Sequence, residues 1–300
     1  MPPSSLSTPL HAHDHGGEGP PLVLLHGAGR SLADWDAIAP LLVPHHRVLA
    51  VDLPGHGRSP DAGELFRTGW SFAAAGEAIE RTVAAYGLSG ALPVGHSLGG
   101  MIALHLALPG GVPGAVNLDG FWWSRHARYP GLGPAAVTEA LERIGGLVRS
   151  AAGQVAPAGY LEQQVARAAR FGIPADRAEA TARASLRELP DGGFQALPLR
   201  ETALDTFDAL DALDLFALAR RVPCPVLCVR GRRAQPPTPG TEWFEELTAS
   251  HAKGLDGDLA ALAEERTHPT RVEDIDATHA MLLEEPEAVA ALVLAFTGSL

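Results

Sequence analysis

Gly95-His96-Ser97-Leu98-Gly99 places a serine between two glycines at the spacing of a nucleophile elbow, and the chemistry this offers is attack on a carbonyl carbon. A serine hydroxyl is a weak nucleophile until a neighbouring base takes its proton, so the motif also asks for a histidine elsewhere in the chain. The serine of such an elbow sits on a sharp, strained turn. Side chains two residues to either side would collide with the adjoining strand or helix, which is why glycine stands there. The same turn aims the next amide, that of Leu98, into the space above the hydroxyl.

The elements around the motif have the order it requires. Ala91 to Val94 is a short apolar run that reads as a strand, and Met101 to Leu108 reads as a buried helix. Upstream, Leu22 to Leu25 runs into His26-Gly27-Ala28-Gly29, and Val48 to Val51 runs into Asp52-Leu53-Pro54-Gly55-His56-Gly57-Arg58-Ser59. Helical spacing covers Leu32 to Leu42 and Phe72 to Tyr86. Further strands are expected at 115–119, 225–230 and 271–275, and a last helix over 286–296 with proline at its start. Strands apolar on both faces, alternating with helices, predict a mostly parallel sheet covered on both sides.

The stretch from 124 to about 214 interrupts that alternation. Its helical patterns at 134–148, 160–171 and 176–189 predict an all-helical insertion over the strand ends, a lid. The expected division is a flexible tail over 1–20, a core of 21–123 and 215–300, and a lid over 124–214.

Bulk properties narrow the function classes. The chain has 300 residues, 46% hydrophobic and 19% charged, which suits one globular domain with an insertion. A formal charge of −12 without a basic patch argues against nucleic acid or an anionic membrane as partner. No apolar run approaches the roughly 20 residues of a membrane helix. The N-terminus lacks the basic-then-apolar order of a signal peptide, and the default expectation is a cytoplasmic protein. Cys224 and Cys228 are the two cysteines, expected as buried apolar residues rather than a metal site or disulfide. His11, His13 and His15 could bind a metal opportunistically, but they lie in a segment that reads as a mobile, solvated tail. No phosphate-cradling loop, dinucleotide fingerprint or spaced metal-ligand cluster occurs, so no cofactor and no metal are expected, and a small molecule is the expected partner.

Four segments in order carry a family resemblance: His26-Gly27-Ala28-Gly29, Asp52-x-x-Gly55-x-Gly57-x-Ser59, Gly95-x-Ser97-x-Gly99-Gly100, and His279 followed by Leu282-Leu283-Glu284-Glu285-Pro286. Over about 20–123 and 215–300 the chain resembles α/β-hydrolase-fold proteins. The resemblance implies Ser97 as nucleophile, His279 as base, and an oxyanion hole formed by the amides of Ala28 and Leu98. It also exposes a departure. The family most often places its acid after the strand 225–230, and the matching turn here is Gly231-Arg232-Arg233-Ala234, which ends in an alanine.

Asp119 is the expected replacement. It ends the strand after the nucleophile helix, and right-handed crossovers bring the carboxyl ends of parallel strands to one edge. Asp119 could instead cap its own strand end. Asp205, Asp208 and Asp276 are the competing carboxylates. Phe121, Trp122 and Trp123 are expected to line the pocket mouth or to pack in the core, and Arg125, His126 and Arg128 to meet a substrate anion or solvent. The resulting expectation is a serine hydrolase for an ester, lactone or thioester of a small, fairly apolar molecule. Carbon–carbon bond hydrolysis, a lyase or cyclase reaction, and a weakly catalytic binding protein are the alternatives, the last favoured by Ala234. Aspartate-nucleophile chemistry is disfavoured because the elbow holds serine.

Overall fold

The computed structural model describes residues 8–234 and 240–300. The apolar runs form one seven-stranded sheet. Its strands are β1 (Ala12–Gly16), β2 (Pro21–Leu25), β3 (Arg47–Val51), β4 (Leu92–His96), β5 (Ala115–Leu118), β8 (Val226–Gly231) and β9 (Thr270–Ile275). In space they run β1-β3-β2-β4-β5-β8-β9, all parallel except β1, which pairs antiparallel with β3. Two further strands, β6 (Leu186–Glu188) and β7 (Phe194–Ala196), form a separate antiparallel pair.

The helices split between the two faces of the sheet and the insertion. They are α1 (Ala39–Leu42), α2 (Ala62–Leu65), α3 (Phe72–Ala85), α4 (Leu98–Ala107), α5 (Pro134–Ala151), α6 (Tyr160–Ala169), α7 (Ala175–Ala184), α8 (Arg200–Ala212), α9 (Leu215–Arg220), α10 (Glu242–Glu265), α11 (Met281–Glu284) and α12 (Pro286–Thr297). Strand alternation explains why the runs are apolar without a break. On β2 and β3, Leu22, Leu24, Val48 and Ala50 meet Trp35, Ile38 and the α12 residues Val289 and Val293 on one face. Val23, Leu25, Leu49 and Val51 meet α3 and α4 on the other. Both faces are buried, so no position can be polar cheaply.

Two expectations need correction. Residues 8–20 are not a flexible tail: Leu10 is buried and Ala12–Gly16 is the edge strand β1. Its composition hid it, because an edge strand exposed on one side tolerates His, Asp and Gly that a central strand would not. The insertion between β5 and β8 is not all helical. The helix expected over 176–189 stops at Ala184, and β6 and β7 form a hairpin around Asp191-Gly192-Gly193, where the Asp191 carboxylate accepts from the Gly193 amide. A 24-residue helix, α10, adds an element for which the sequence reading held no expectation. Cys224 and Cys228 are buried free thiols, and burial pushes the Cys228 thiol up to about 12. Among the described residues no helix is long and apolar enough to cross a membrane.

Candidate active site

The sheet hands three side chains to one edge. Ser97 follows β4 directly and opens α4, with φ of +54°, in the region that disfavours any side chain. The close packing of the elbow forces glycine on both sides. A Cβ on Gly95 would lie 1.9 Å from the Gly99 carbonyl oxygen, and one on Gly99 would lie 2.3 Å from that of Leu25. The Ser97 amide is fixed by donating to the Leu118 carbonyl at 2.9 Å.

Register then places Asp119. Strands β4 and β5 pair in parallel with His96 beside Leu118, so Ser97 and Asp119 leave adjacent strands at the same level. Asp119 also has a positive φ, +53°. Ser97 and Asp119 are the two described non-glycine residues in this region, each costing about 1–3 kcal/mol unless the surroundings hold it. The surroundings do so here. The Asp119 amide donates to Val229 O at 2.7 Å, and its Oδ1 accepts from the Gly231 amide at 3.1 Å. Buried Asn117 closes the turn, accepting from Gly120 N at 2.8 Å and donating to Gly120 O at 3.1 Å. Asn117 was missed in the sequence, although Asn-x-x-Gly was legible there as a turn that bonds its own backbone.

His279 arrives from the loop after β9. Its Nδ1 donates to Asp119 Oδ2 at 2.7 Å, and its Nε2 lies 3.0 Å from Ser97 Oγ, placed to accept the hydroxyl proton. Two residues hold this loop. Glu284, whose side chain is only 1% exposed, accepts from the Thr278 amide at 2.9 Å and from the Thr278 hydroxyl. His96 donates from Nε2 to the His279 carbonyl at 2.8 Å, and its ring packs against that of His279. Sequence reasoning saw both residues only as parts of motifs.

The competing carboxylates are engaged elsewhere. Asp276 lies exposed against Arg233, Asp208 lies exposed near Arg149, and Asp205 accepts from the Trp70 amide. Ala234 is exposed.

The loop His26–Gly29 is built from its own histidine. His26 is fully buried, donates from Nδ1 to Gly27 O and accepts the Leu53 amide on Nε2. Asp52, 2% exposed, ties the loops together by accepting from the amides of Leu32 and Arg58 and from His11 Nδ1. Ala28 and Ser97 line one cavity of about 270 Å³, roofed by α6 through Gln164 and Arg167, by α7 through Ala182, and by Phe171 in the turn between the two helices. Leu98 is the first residue of α4, and its side chain is buried.

The aromatic expectation takes its packing alternative. Phe121, Trp122 and Trp123 do not line the cavity at Ser97. Trp122 stacks edge-on against Phe207 and Trp123 against Phe244, while Phe121 packs beside α9 and α10. They leave β5 on the far side of Asp119, where α8 and α10 cover them. Arg125 pairs with Asp211 and Arg128 with Asp258, and the cations at the cavity are instead Arg30 and Arg167.

Burial sets the ionisation of the supporting histidines. It drives His96 to about 3 and His56 and His251 to about 4. Each stays neutral in the fold but binds a proton near its ordinary value when unfolded, so the unfolded state holds more protons below about pH 6.5. Stability is therefore expected to rise with pH between about 4 and 6.5. At pH 5 each such histidine contributes about 2 kcal/mol less than at pH 7. Urea unfolding at the two pH values measures this, and equal stabilities would contradict the burial of these rings.

Comparison with known proteins fits this arrangement. A family model described as the alpha/beta hydrolase family matches residues 22–292. The pimeloyl-[acyl-carrier protein] methyl ester esterase of Vibrio vulnificus is 41% identical over 103 residues, 34% of this chain and 36% of that protein. Its counterpart in Aeromonas hydrophila is 44% identical over 93 residues, 31% and 34% of the two chains. The chain thus matches about a third of the length of these relatives. The protein of the same name from Methylococcus capsulatus is 32% identical over 221 residues, 72% of this chain and 77% of that one. Among solved structures, E-2-(acetamidomethylene)succinate hydrolase shares the fold with a TM-score of 0.69 and 24% identity, over 96% and 95% of the chains.

Proposed function

The chain belongs to the alpha/beta hydrolase family, and from that premise we propose that it is a serine hydrolase that cleaves an ester, thioester or lactone through an acyl-enzyme on Ser97. One observation carries the reading: the unbroken line from Asp119 Oδ2 through His279 to Ser97 Oγ, at 2.7 and 3.0 Å. The named activity of the relatives, methyl ester hydrolysis, agrees with it.

Each group has one task. Ser97 Oγ attacks the substrate carbonyl while His279 Nε2 takes its proton. Asp119 keeps Nδ1 protonated, so that Nε2 is free to accept, and stabilises the imidazolium that forms. The amides of Ala28 and Leu98 stabilise the oxyanion. His279 then returns the proton to the leaving oxygen or sulfur, and water repeats the sequence to release the acid. The alternative of a weakly catalytic binding protein rests on Ala234, and the contact of Asp119 with His279 argues against it.

The cavity sets the substrate class. About 270 Å³ lies below the range of drug-sized pockets, so a small acyl part fits. Phe171, Ile173 and Leu282 supply apolar wall, and Gln164 and Arg167 a polar one. With p-nitrophenyl acetate in excess over enzyme, one equivalent of p-nitrophenolate per enzyme should appear in a burst ahead of steady turnover, and the enzyme should gain the mass of one acetyl group. Turnover of the acetate should exceed that of the palmitate by about tenfold or more. Absence of both burst and turnover would overturn the proposal.

A further inference from the structure

The edge strand carries a cluster that the ester chemistry does not use. Alternation along β1 sets His13 and His15 on one face, away from Ala12, which packs toward α3 and α4. The ladder agrees, since His13 stands opposite Ala50, a residue of the face that receives Trp35 and Ile38. The two rings stack with centroids 4.1 Å apart. On that same face Asp36 caps the 3-10 turn Leu32–Trp35 and points its carboxylate toward them. One ligand atom from each of His13, His15 and Asp36 lies within 4.8 Å of the other two.

We infer that His13, His15 and Asp36 form a binding site for a first-row divalent cation of the zinc type. Two imidazoles and a carboxylate are a donor set that such ions accept, with Zn–N and Zn–O bonds near 2.0–2.2 Å. Tetrahedral ligands at those lengths stand about 3.3 Å apart, so small side-chain rotations close the remaining gap. His13 and Asp36 are exposed and free to make them. His15 adds a separate observation: its Nε2 is shielded from solvent and has no hydrogen-bond partner. A buried orphan nitrogen is costly and a metal ligand relieves it. Burial together with His13 also lowers the affinity of His15 for protons, which suits a ligand that must bind as neutral imidazole.

The consequence is mechanical. The ion would join β1 to the 3-10 turn that follows the loop His26–Gly29, and ligation of the folded state alone stabilises it by mass action. The test is calorimetric titration of the full chain with ZnCl2, beside melting with and without ZnCl2. The expected result is one ion per chain and a raised melting temperature that a chelator reverses. His13→Ala and Asp36→Asn should each weaken binding by about tenfold or more, with melting temperatures unchanged in the absence of metal. His268→Ala, at an exposed histidine away from the cluster, should leave binding unchanged. Failure of the wild type to bind zinc, or equal affinity in His13→Ala and Asp36→Asn, would overturn the inference.

Discussion

Ser97→Ala is expected to lower ester turnover by about 10⁶-fold, and His279→Ala by a similar factor. The two groups act as one device, so the double variant should be no worse than either single one. The reason lies in the 3.0 Å contact between Ser97 Oγ and His279 Nε2. Without the hydroxyl nothing attacks, and without the ring nothing removes its proton at neutral pH. What survives comes from the amides of Ala28 and Leu98 and from binding in the cavity, which act on an attacking water. Neither substitution disturbs the supports of the site. Ser97 is anchored by its own amide to Leu118, and the His279 loop by Glu284, Thr278 and His96 through a backbone carbonyl. Thermal midpoints near that of the wild type would show that the loss is chemical. A Ser97→Ala variant that keeps turnover would rule out the acyl-enzyme.

Asp119→Asn carries the second largest effect, about 10⁴-fold in kcat with little change in KM. The amide that replaces the carboxylate can still accept from Gly231, so the turn survives, but it no longer favours the tautomer with a proton on Nδ1. It also removes the charge that stabilises the imidazolium. Asp208→Asn and Asp276→Asn should stay near the wild-type rate, since both carboxylates are exposed and face Arg149 and Arg233. Full activity in Asp119→Asn would relocate the acid.

The core of this site was legible because it is written in short segments under strict geometry. Gly95 and Gly99 admit no side chain, and that prohibition makes the elbow visible. The position of Asp119 was legible from topology, because parallel register alone sets it beside Ser97. What stayed hidden depends on side-chain contacts that no local motif spells out. Glu284 reaches back six residues to Thr278, and His96 holds a carbonyl 183 residues away. No local pattern announces either. The aromatic run Phe121-Trp122-Trp123 was open to two readings, because hydrophobicity says that a side chain is covered but not by what. Here Phe207 and Phe244, from helices outside the recognised periodicity, cover two of them. The edge strand β1 was masked by the polar composition that lets it stand at the border of the sheet. The cavity roof, α6 and α7, was legible as helices of an insertion over the strand ends, but not which of their side chains face the cavity.

The central claim is that Asp119, through His279, activates Ser97. Its most direct measurement is the rate of fluorophosphonate labelling at Ser97, read by peptide mass in the wild type, Asp119→Asn and Asp208→Asn. Labelling reports the nucleophile alone and needs no knowledge of the natural substrate. The expected result is equal rapid labelling of Ser97 in the wild type and Asp208→Asn, and labelling slower by about 10⁴ in Asp119→Asn. Labelling of Asp119→Asn at the wild-type rate, or of a residue other than Ser97, would contradict it.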